Sequence, residues 1–175
     1  AIGPVSVTCT DKTGTLTRNE MVVAAAETAD GAFAIGGEGY APEGEITPAG
    51  DLTRLAWAAV LCNDASLHHK DGVWTVEGDP MEGALLVLAI KAGLDYQLLR
   101  KEIPLADSIP FESEHRFMAT LRHDHRGDGF IYVKGAPEVI LNRCAYEQIN
   151  GDVVPLNEAA WKKHIETIAS VGERM

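Results

Sequence analysis

The chain has few cysteines, and they lack the spacing of a metal site or a disulfide framework. Cys9, Cys62 and Cys144 are odd in number and far apart, and no two of them form a CxxC pair. This pattern argues against a zinc site and against a disulfide-stapled fold. Free cysteines of this kind are typical of a reducing compartment.

Long apolar runs and an excess of basic residues are also missing. No hydrophobic stretch approaches the roughly 20 residues that a membrane helix needs, so we expect no span in these residues. Only 15 Lys and Arg residues stand against 26 Asp and Glu residues, which gives a net charge of -11. Because nucleic-acid binding needs a basic face, we expect no nucleic-acid partner.

Turn and cap residues divide the chain into short elements. Two Asp-Gly pairs, at residues 30–31 and 71–72, each predict the turn of a β-hairpin. A helix is predicted to start at Asp79 as N-cap, with Pro80 in its first position and Gly93 as its stop.

Three further helices are predicted at residues 51–62, 136–144 and 156–172. Their candidate caps are Thr47 or Asp51 for the first and Asn157 for the last. Alternating apolar residues at 117–121 predict a strand, and we expect it to pair with a second strand at 129–135. Hairpin strands with interspersed helices predict an α+β fold, an antiparallel twisted sheet flanked by helices.

The most polar stretch near the beginning is CTDKTGTLT, residues 9–17. A short β-rich run at residues 5–9 places Asp11 at the end of a strand, where a carboxylate can accept a phosphate as a nucleophile. The Thr/Gly-rich turn would then offer backbone N–H and hydroxyl donors to the phosphoryl oxygens. The alternative from the residues alone is an Asx-type turn in which Asp11 caps the loop.

The seven residues DKTGTLT resemble the phosphorylation signature of the P-type ATPases, membrane pumps that pass through an aspartyl-phosphate. The resemblance implies that Asp11 is the phosphorylated residue, with Lys12 and Thr13 as catalytic neighbours and Asp11 and Thr13 facing Mg²⁺ in the full-length protein. Related phosphatases of the haloacid-dehalogenase superfamily resemble DxD instead, with a second Asp in the place of Thr13. Because a threonine cannot supply a proton at neutral pH, we expect the acyl phosphate to persist.

Four later segments resemble the nucleotide-binding domain of the same family, in the family's order: CNDA (62–65), GDPMEGALL (78–86), PFESEHRFMAT (110–120) and VKGAPEVIL (133–141). The resemblance implies ATP as ligand. On the adenine side it implies that Phe111 stacks on the base, worth ~1–3 kcal/mol by analogy with nucleic-acid bases. Glu82 would lie near the adenine amino group, and Met118 would be an adaptable apolar wall. The alternatives are a core position for Phe111 and a helix-dipole role for Glu82.

The resemblance assigns the polar side of the nucleotide to six residues: Ser113, Arg116, Lys134, Gly135, Ala136 and Arg174. Lys134 and Gly135 combine a cation with bare backbone just before a predicted helix, which suits an anionic or polar ligand. Ser113 stands where relatives often carry arginine, so it offers a weaker phosphate contact. Arg174 matches a family arginine that reaches the phosphates.

We expect a cytosolic fragment of an integral membrane pump. Residues 1–16 would be a stub of the haloacid-dehalogenase-like phosphorylation domain, 17–171 the nucleotide-binding domain, and 172–175 a return linker. The fragment is predicted to be monomeric, to bind ATP without sustained turnover, and to meet the phosphorylation, actuator and membrane domains of the pump. Calcium is the first guess for the transported ion. The competing interpretations are a phosphatase with a large cap and a non-catalytic protein-interaction domain.

Overall fold

The computed structural model of the chain describes residues 20–172. The strands of this part are β1 (Ala25–Thr28), β2 (Gly31–Ile35), β3 (Ile46–Thr47), β4 (Ser66–Lys70), β5 (Val73–Glu77), β6 (Leu105–Ile109), β7 (Phe117–His123), β8 (Gly129–Gly135), β9 (Tyr146–Ile149) and β10 (Asp152–Pro155). The helices are α1 (Thr53–Leu61), α2 (Pro80–Lys91), α3 (Tyr96–Glu102), α4 (Pro137–Leu141) and α5 (Glu158–Gly172).

All strand pairs in this part of the chain are antiparallel. They form two three-stranded ladders, β1-β2-β3 and β6-β7-β8, and two hairpins, β4-β5 and β9-β10. The predicted α+β class with antiparallel pairing is confirmed, with the strands divided among four ladders. Within residues 20–172, no helix combines the length and the apolar character that crossing a bilayer requires.

The predicted ends of α2 are confirmed. The Asp79 carboxylate accepts hydrogen bonds from the backbone N–H groups of Met81, at 2.9 Å, and Glu82, at 3.2 Å. Pro80 opens the helix, and Gly93 follows its end with a φ of 84° that a residue with a side chain rarely adopts. This cap fixes the first turn of α2, which carries Glu82 inward.

The predicted cap of α1 is only partly right. Thr47 belongs to strand β3, so it caps no helix. The Asp51 carboxylate accepts a 2.8 Å hydrogen bond from the Thr53 N–H, but the residue directly before the helix is Leu52. Leu52 is 3% exposed, so its burial in the core takes the position that a capping side chain would otherwise occupy.

Both Asp-Gly hairpins are confirmed as β1-β2 and β4-β5. A third hairpin, β9-β10, and helix α3 were not predicted, although both carry local signals. Asn150 and Gly151 have φ values of 50° and 90°, as a two-residue hairpin turn requires. The carboxylate of Asp95 accepts 3.0 Å hydrogen bonds from the N–H groups of Gln97 and Leu98, which caps α3.

The main core lies where α1, α2 and α3 meet. Leu61 of α1, Leu86 of α2 and Leu99 of α3 belong to one buried cluster, together with Leu67 of β4. At the other end of the chain, the Asn157 side chain accepts a hydrogen bond from the Ala160 N–H at 3.1 Å, so the predicted cap of α5 is confirmed. Strand β8 packs against α1, and Glu82 in the first turn of α2 meets Lys134 of β8, which is the setting of the site below.

Strand β8 ends against β7 with no room for a side chain at Gly135. A Cβ there would lie 2.7 Å from both Cα and Cβ of Phe117, its partner in the ladder. We expect Gly135→Ala to lower the free energy of unfolding by about 1–3 kcal/mol, because the strand ends must move apart. Urea denaturation of the 175-residue chain measures this change.

Gly129 at the other end of β8 is the matched control. A Cβ there would lie 3.3 Å from the His123 Nε2, an atom at the tip of a movable side chain. Gly129→Ala should therefore stay within about 0.5 kcal/mol of the unsubstituted protein. Equal losses from both substitutions would contradict the steric account.

Candidate functional site

The centre of the site is an ion pair between β8 and α2. The ammonium of Lys134 contacts Oε1 of Glu82, and the two side chains are only 18% and 11% exposed. Removing two such charges from water is costly, and the cost is offset only where the pair is close and further hydrogen bonds are made. The sequence-predicted residues Glu82 and Lys134 are therefore brought together, 52 positions apart in the chain.

The second oxygen of the Glu82 carboxylate is held by the segment that follows α1. Glu82 Oε2 accepts a 3.0 Å hydrogen bond from the backbone N–H of Asp64. The side-chain amide of Asn63, which is 2% exposed, donates to the main-chain carbonyl of Glu82 at 2.9 Å. Asn63 Oδ1 accepts from the Ala65 N–H at 2.9 Å. Residues 62–65 and the first turn of α2 thus form one hydrogen-bonded unit.

Arg100 of α3 holds this same segment from the other side. Its guanidinium donates to the carbonyls of Asn63, at 2.8 Å, Ala65, at 2.9 Å, and Val60, at 3.3 Å. Burial lowers the pKa of Arg100, yet an arginine remains charged in proteins. Sequence analysis missed Arg100, because its partners are main-chain carbonyls 35–40 positions away.

Two side chains of β7 complete the bonding at the end of α1. The hydroxyl of Thr120 and Nε of Arg122 each donate to the Leu61 carbonyl at 2.8 Å. The Cys62 thiol donates to the Met118 carbonyl at 3.4 Å, and burial raises the pKa of that thiol. Cys62 is therefore a protonated structural residue rather than a nucleophile.

The outer part of the site lies in the connection between β6 and β7. Phe111 is 59% exposed, so the core interpretation of this residue is wrong. Arg116 has a φ of 56°, and its guanidinium pairs with the Glu138 carboxylate at 2.6 Å, both side chains being half exposed. The Arg116 carbonyl also accepts a 2.9 Å hydrogen bond from the Ala136 N–H. Arg116 and Ala136 are thus adjacent, next to Gly135.

The other predicted residues are placed as follows. Ser113 is exposed in the same connection as Phe111. Met118 is 2% exposed and pairs with Lys134 in the β7-β8 ladder. A ligand contact by Phe111, Ser113 or Met118 stays a prediction.

Asp11, Lys12, Thr13 and Arg174 lie outside the described residues, and so do the predicted strand at 5–9 and the predicted Mg²⁺ ligands. Their roles stay predictions. Between residues 20 and 172, no three His, Cys, Asp or Glu side chains form a cluster that could hold a metal ion.

An open cavity of about 480 Å³ lies between the first and the last hairpin, and its lining contains none of the predicted site residues. The Asp30 carboxylate at its edge accepts a 2.7 Å hydrogen bond from the Asn150 N–H. The Asp51 carboxylate is bonded to the Thr53 N–H. Because both carboxylates accept hydrogen bonds from the backbone, we interpret the cavity as a gap between two hairpins rather than as a ligand site.

Comparison with known proteins places the chain in a family. Residues 51–175 match the family model described as P-type ATPase, cytoplasmic domain N. The chain is 39% identical to the cation-transporting ATPase pma1 of Synechocystis sp., with all of this chain and 21% of that protein aligned. It is 37% identical to the probable cation-transporting ATPase F of Mycobacterium tuberculosis, with 99% of this chain and 20% of that protein aligned.

A mammalian protein is similar as well. The calcium-transporting ATPase type 2C member 1 of Bos taurus is 35% identical, with 90% of this chain and 17% of that protein aligned. The chain spans about a fifth of the length of the curated relatives it matches. On these matches, the chain belongs to the P-type ATPase family, in which it corresponds to cytoplasmic domain N.

Proposed function

We propose that this domain binds ATP, with the base between Phe111 and Glu82 and the phosphates towards Arg116 and Gly135. The observation that carries the proposal is the buried Lys134–Glu82 pair, fixed at the start of α2 beside a strand end with bare backbone. Buried ionisable groups held by a specific partner are a feature of functional sites.

The Glu82 carboxylate keeps capacity for a ligand although both oxygens are bonded. Oε1 receives the Lys134 ammonium and Oε2 the Asp64 N–H. Each carboxylate oxygen has two lone-pair sites, so one acceptor position remains on each. An exocyclic amino group such as that of adenine is a matching donor.

The Phe111 ring supplies the apolar contact. A side chain of this size that is 59% exposed has a face free for stacking on a base. Met118, which is the partner of Lys134 in the β7-β8 ladder, is proposed as the wall of the base pocket. Ser113, exposed near Phe111, is proposed as a minor polar contact.

The phosphates meet the corner formed by Arg116, Gly135 and Ala136. Gly135 brings the end of β8 close to Arg116, because a Cβ there would lie only 2.4 Å from the Arg116 carbonyl oxygen. Arg116 is already paired with Glu138, so phosphate oxygens must compete with that carboxylate for the guanidinium. Arg174, outside the described residues, is proposed as a further phosphate contact.

For the whole protein we propose an ATP-driven cation pump, a membrane protein in which this chain is a cytosolic domain. Asp11 would receive the phosphoryl group, with Lys12 and Thr13 beside it, and Mg²⁺ bound by Asp11 and Thr13 would neutralise phosphate charge. Calcium is the proposed ion, as in the name of the bovine relative. The 175-residue chain alone is expected to bind ATP without sustained turnover.

Binding of ATP should perturb the backbone amides of Phe111, Lys134 and Gly135 in an NMR titration. Phe111→Ala should weaken ATP binding by roughly 5- to 150-fold, the equivalent of a lost stacking contact. Because Phe111 is exposed, its loss should leave the thermal midpoint of unfolding nearly unchanged. Calorimetric titration of the 175-residue chain gives both the affinity and its change.

Phe130→Ala is the matched control, since Phe130 is 42% exposed at the far end of β8. It should leave ATP affinity within about twofold. The proposal fails if the three amides do not respond at millimolar ATP, or if both phenylalanine substitutions weaken binding equally.

The role of Glu82 is tested by comparing ATP with ITP, in which an oxo group replaces the adenine amino group. Glu82→Gln should reduce the preference for ATP over ITP by about three- to tenfold, because a carboxylate acceptor is replaced by a neutral amide. Glu77→Gln, at a side chain 79% exposed on β5, should leave that preference unchanged. If the unsubstituted chain, Glu82→Gln and Glu77→Gln all show the same preference for ATP, Glu82 does not recognise the base.

A further inference from the structure

Arg100 spans the segment that precedes the candidate site. Its three donor nitrogens reach three main-chain carbonyls, those of Val60, Asn63 and Ala65, and Nη2 also lies 3.3 Å from Asn63 Oδ1. The planar guanidinium is suited to this because its donors diverge in a fixed fork, whereas an ammonium is a single point. Among the described residues, no carboxylate lies within ion-pair distance of Arg100, and three of its four hydrogen bonds go to main-chain carbonyls.

The segment held by Arg100 is the one that orients the Glu82 carboxylate. Asp64 N–H donates to Glu82 Oε2, and the Asn63 amide donates to the Glu82 carbonyl. If the segment moved, Lys134 alone would hold the carboxylate, and one ion pair leaves rotation about the side-chain bonds free. The order of contacts is therefore Arg100, residues 63–65, Glu82, and then the ligand.

We infer that Arg100 is a positioning residue for base recognition: it fixes residues 63–65 so that the Glu82 carboxylate faces the exocyclic amino group of the bound base. This inference rests on the proposed binding of ATP. It adds that selectivity for an amino over an oxo group depends on a guanidinium in α3 that touches no part of the nucleotide.

Arg122 provides the control that distinguishes this positioning role from a general contribution to stability. It is also an arginine that bonds main-chain carbonyls: it is 5% exposed, and its Nε donates to the Leu61 carbonyl at the end of α1. Its other bond goes to the Ile103 carbonyl at 3.3 Å. None of these bonds reaches residues 63–65. Loss of the Arg122 side chain should therefore lower the stability of the fold without changing the orientation of the Glu82 carboxylate.

The test measures the affinities of the 175-residue chain for ATP and ITP by calorimetry, before and after Arg100→Met or Arg122→Met. Methionine keeps an unbranched stem and removes the donors. Arg100→Met should reduce the ATP-over-ITP preference by about three- to tenfold. Arg122→Met should change it by less than about twofold while lowering the unfolding midpoint. An unchanged preference in Arg100→Met, or an equal fall in both variants, overturns the inference.

Arg100→Lys provides a second variant if Arg100→Met does not fold. Lysine keeps the charge but cannot reach three carbonyls at once, so the preference should fall by part of the same amount. A preference equal to that of the unsubstituted chain overturns the inference. If the unsubstituted chain does not bind ATP, the proposed function itself fails; if it binds with preference and the Arg100 variants keep that preference, only the inference fails.

Discussion

The hydrogen bonding at the carbonyl end of α1 is the constraint on which the rest of the site depends. A helix end leaves its last carbonyls without intrahelical partners, and α1 has no basic residue of its own in its last turn. Arg100 of α3 and Arg122 and Thr120 of β7 supply the donors instead. A single helix end thereby joins two elements that are distant in sequence. Arg100 extends this bonding to Asn63 and Ala65, and so fixes the direction of the chain leaving α1.

The direction of this segment determines the position of the buried Glu82 carboxylate. The segment after Leu61 contacts Glu82 through hydrogen bonds from Asn63 and Asp64. Lys134 of β8 contacts the same carboxylate from the other side of the site. The buried charges are tolerated because the carboxylate has partners on both oxygens. The site is therefore a consequence of how three elements converge, and the exposed Phe111 lies on the loop that enters the same ladder.

Local chemistry made much of the fold predictable. The start and end of α2 follow from Asp79, Pro80 and Gly93, whose effects reach only the neighbouring residues. The pairing of Glu82 with Lys134 was not predictable as a contact, although each was assigned to the ligand through resemblance. Arg100 was missed because its partners are main-chain carbonyls. Every residue type has such a carbonyl, so the sequence does not indicate which residues Arg100 will bond. Such partners are set by tertiary packing alone.

The pairing of its cations limits how strongly this site could attract the nucleotide that we propose as its ligand. The charge of Lys134 is neutralised by Glu82, and that of Arg116 by Glu138, before any ligand arrives. With a net charge of -11 on the chain, long-range attraction of a polyphosphate is also weak. Under the proposed function, affinity would come mainly from base stacking, because replacing Glu138 at the half-exposed Arg116 exchanges one anion for another with little net gain. Under the proposed function, such a domain would select the base firmly and hold the phosphates loosely, which would suit a nucleotide whose terminal phosphate is transferred elsewhere.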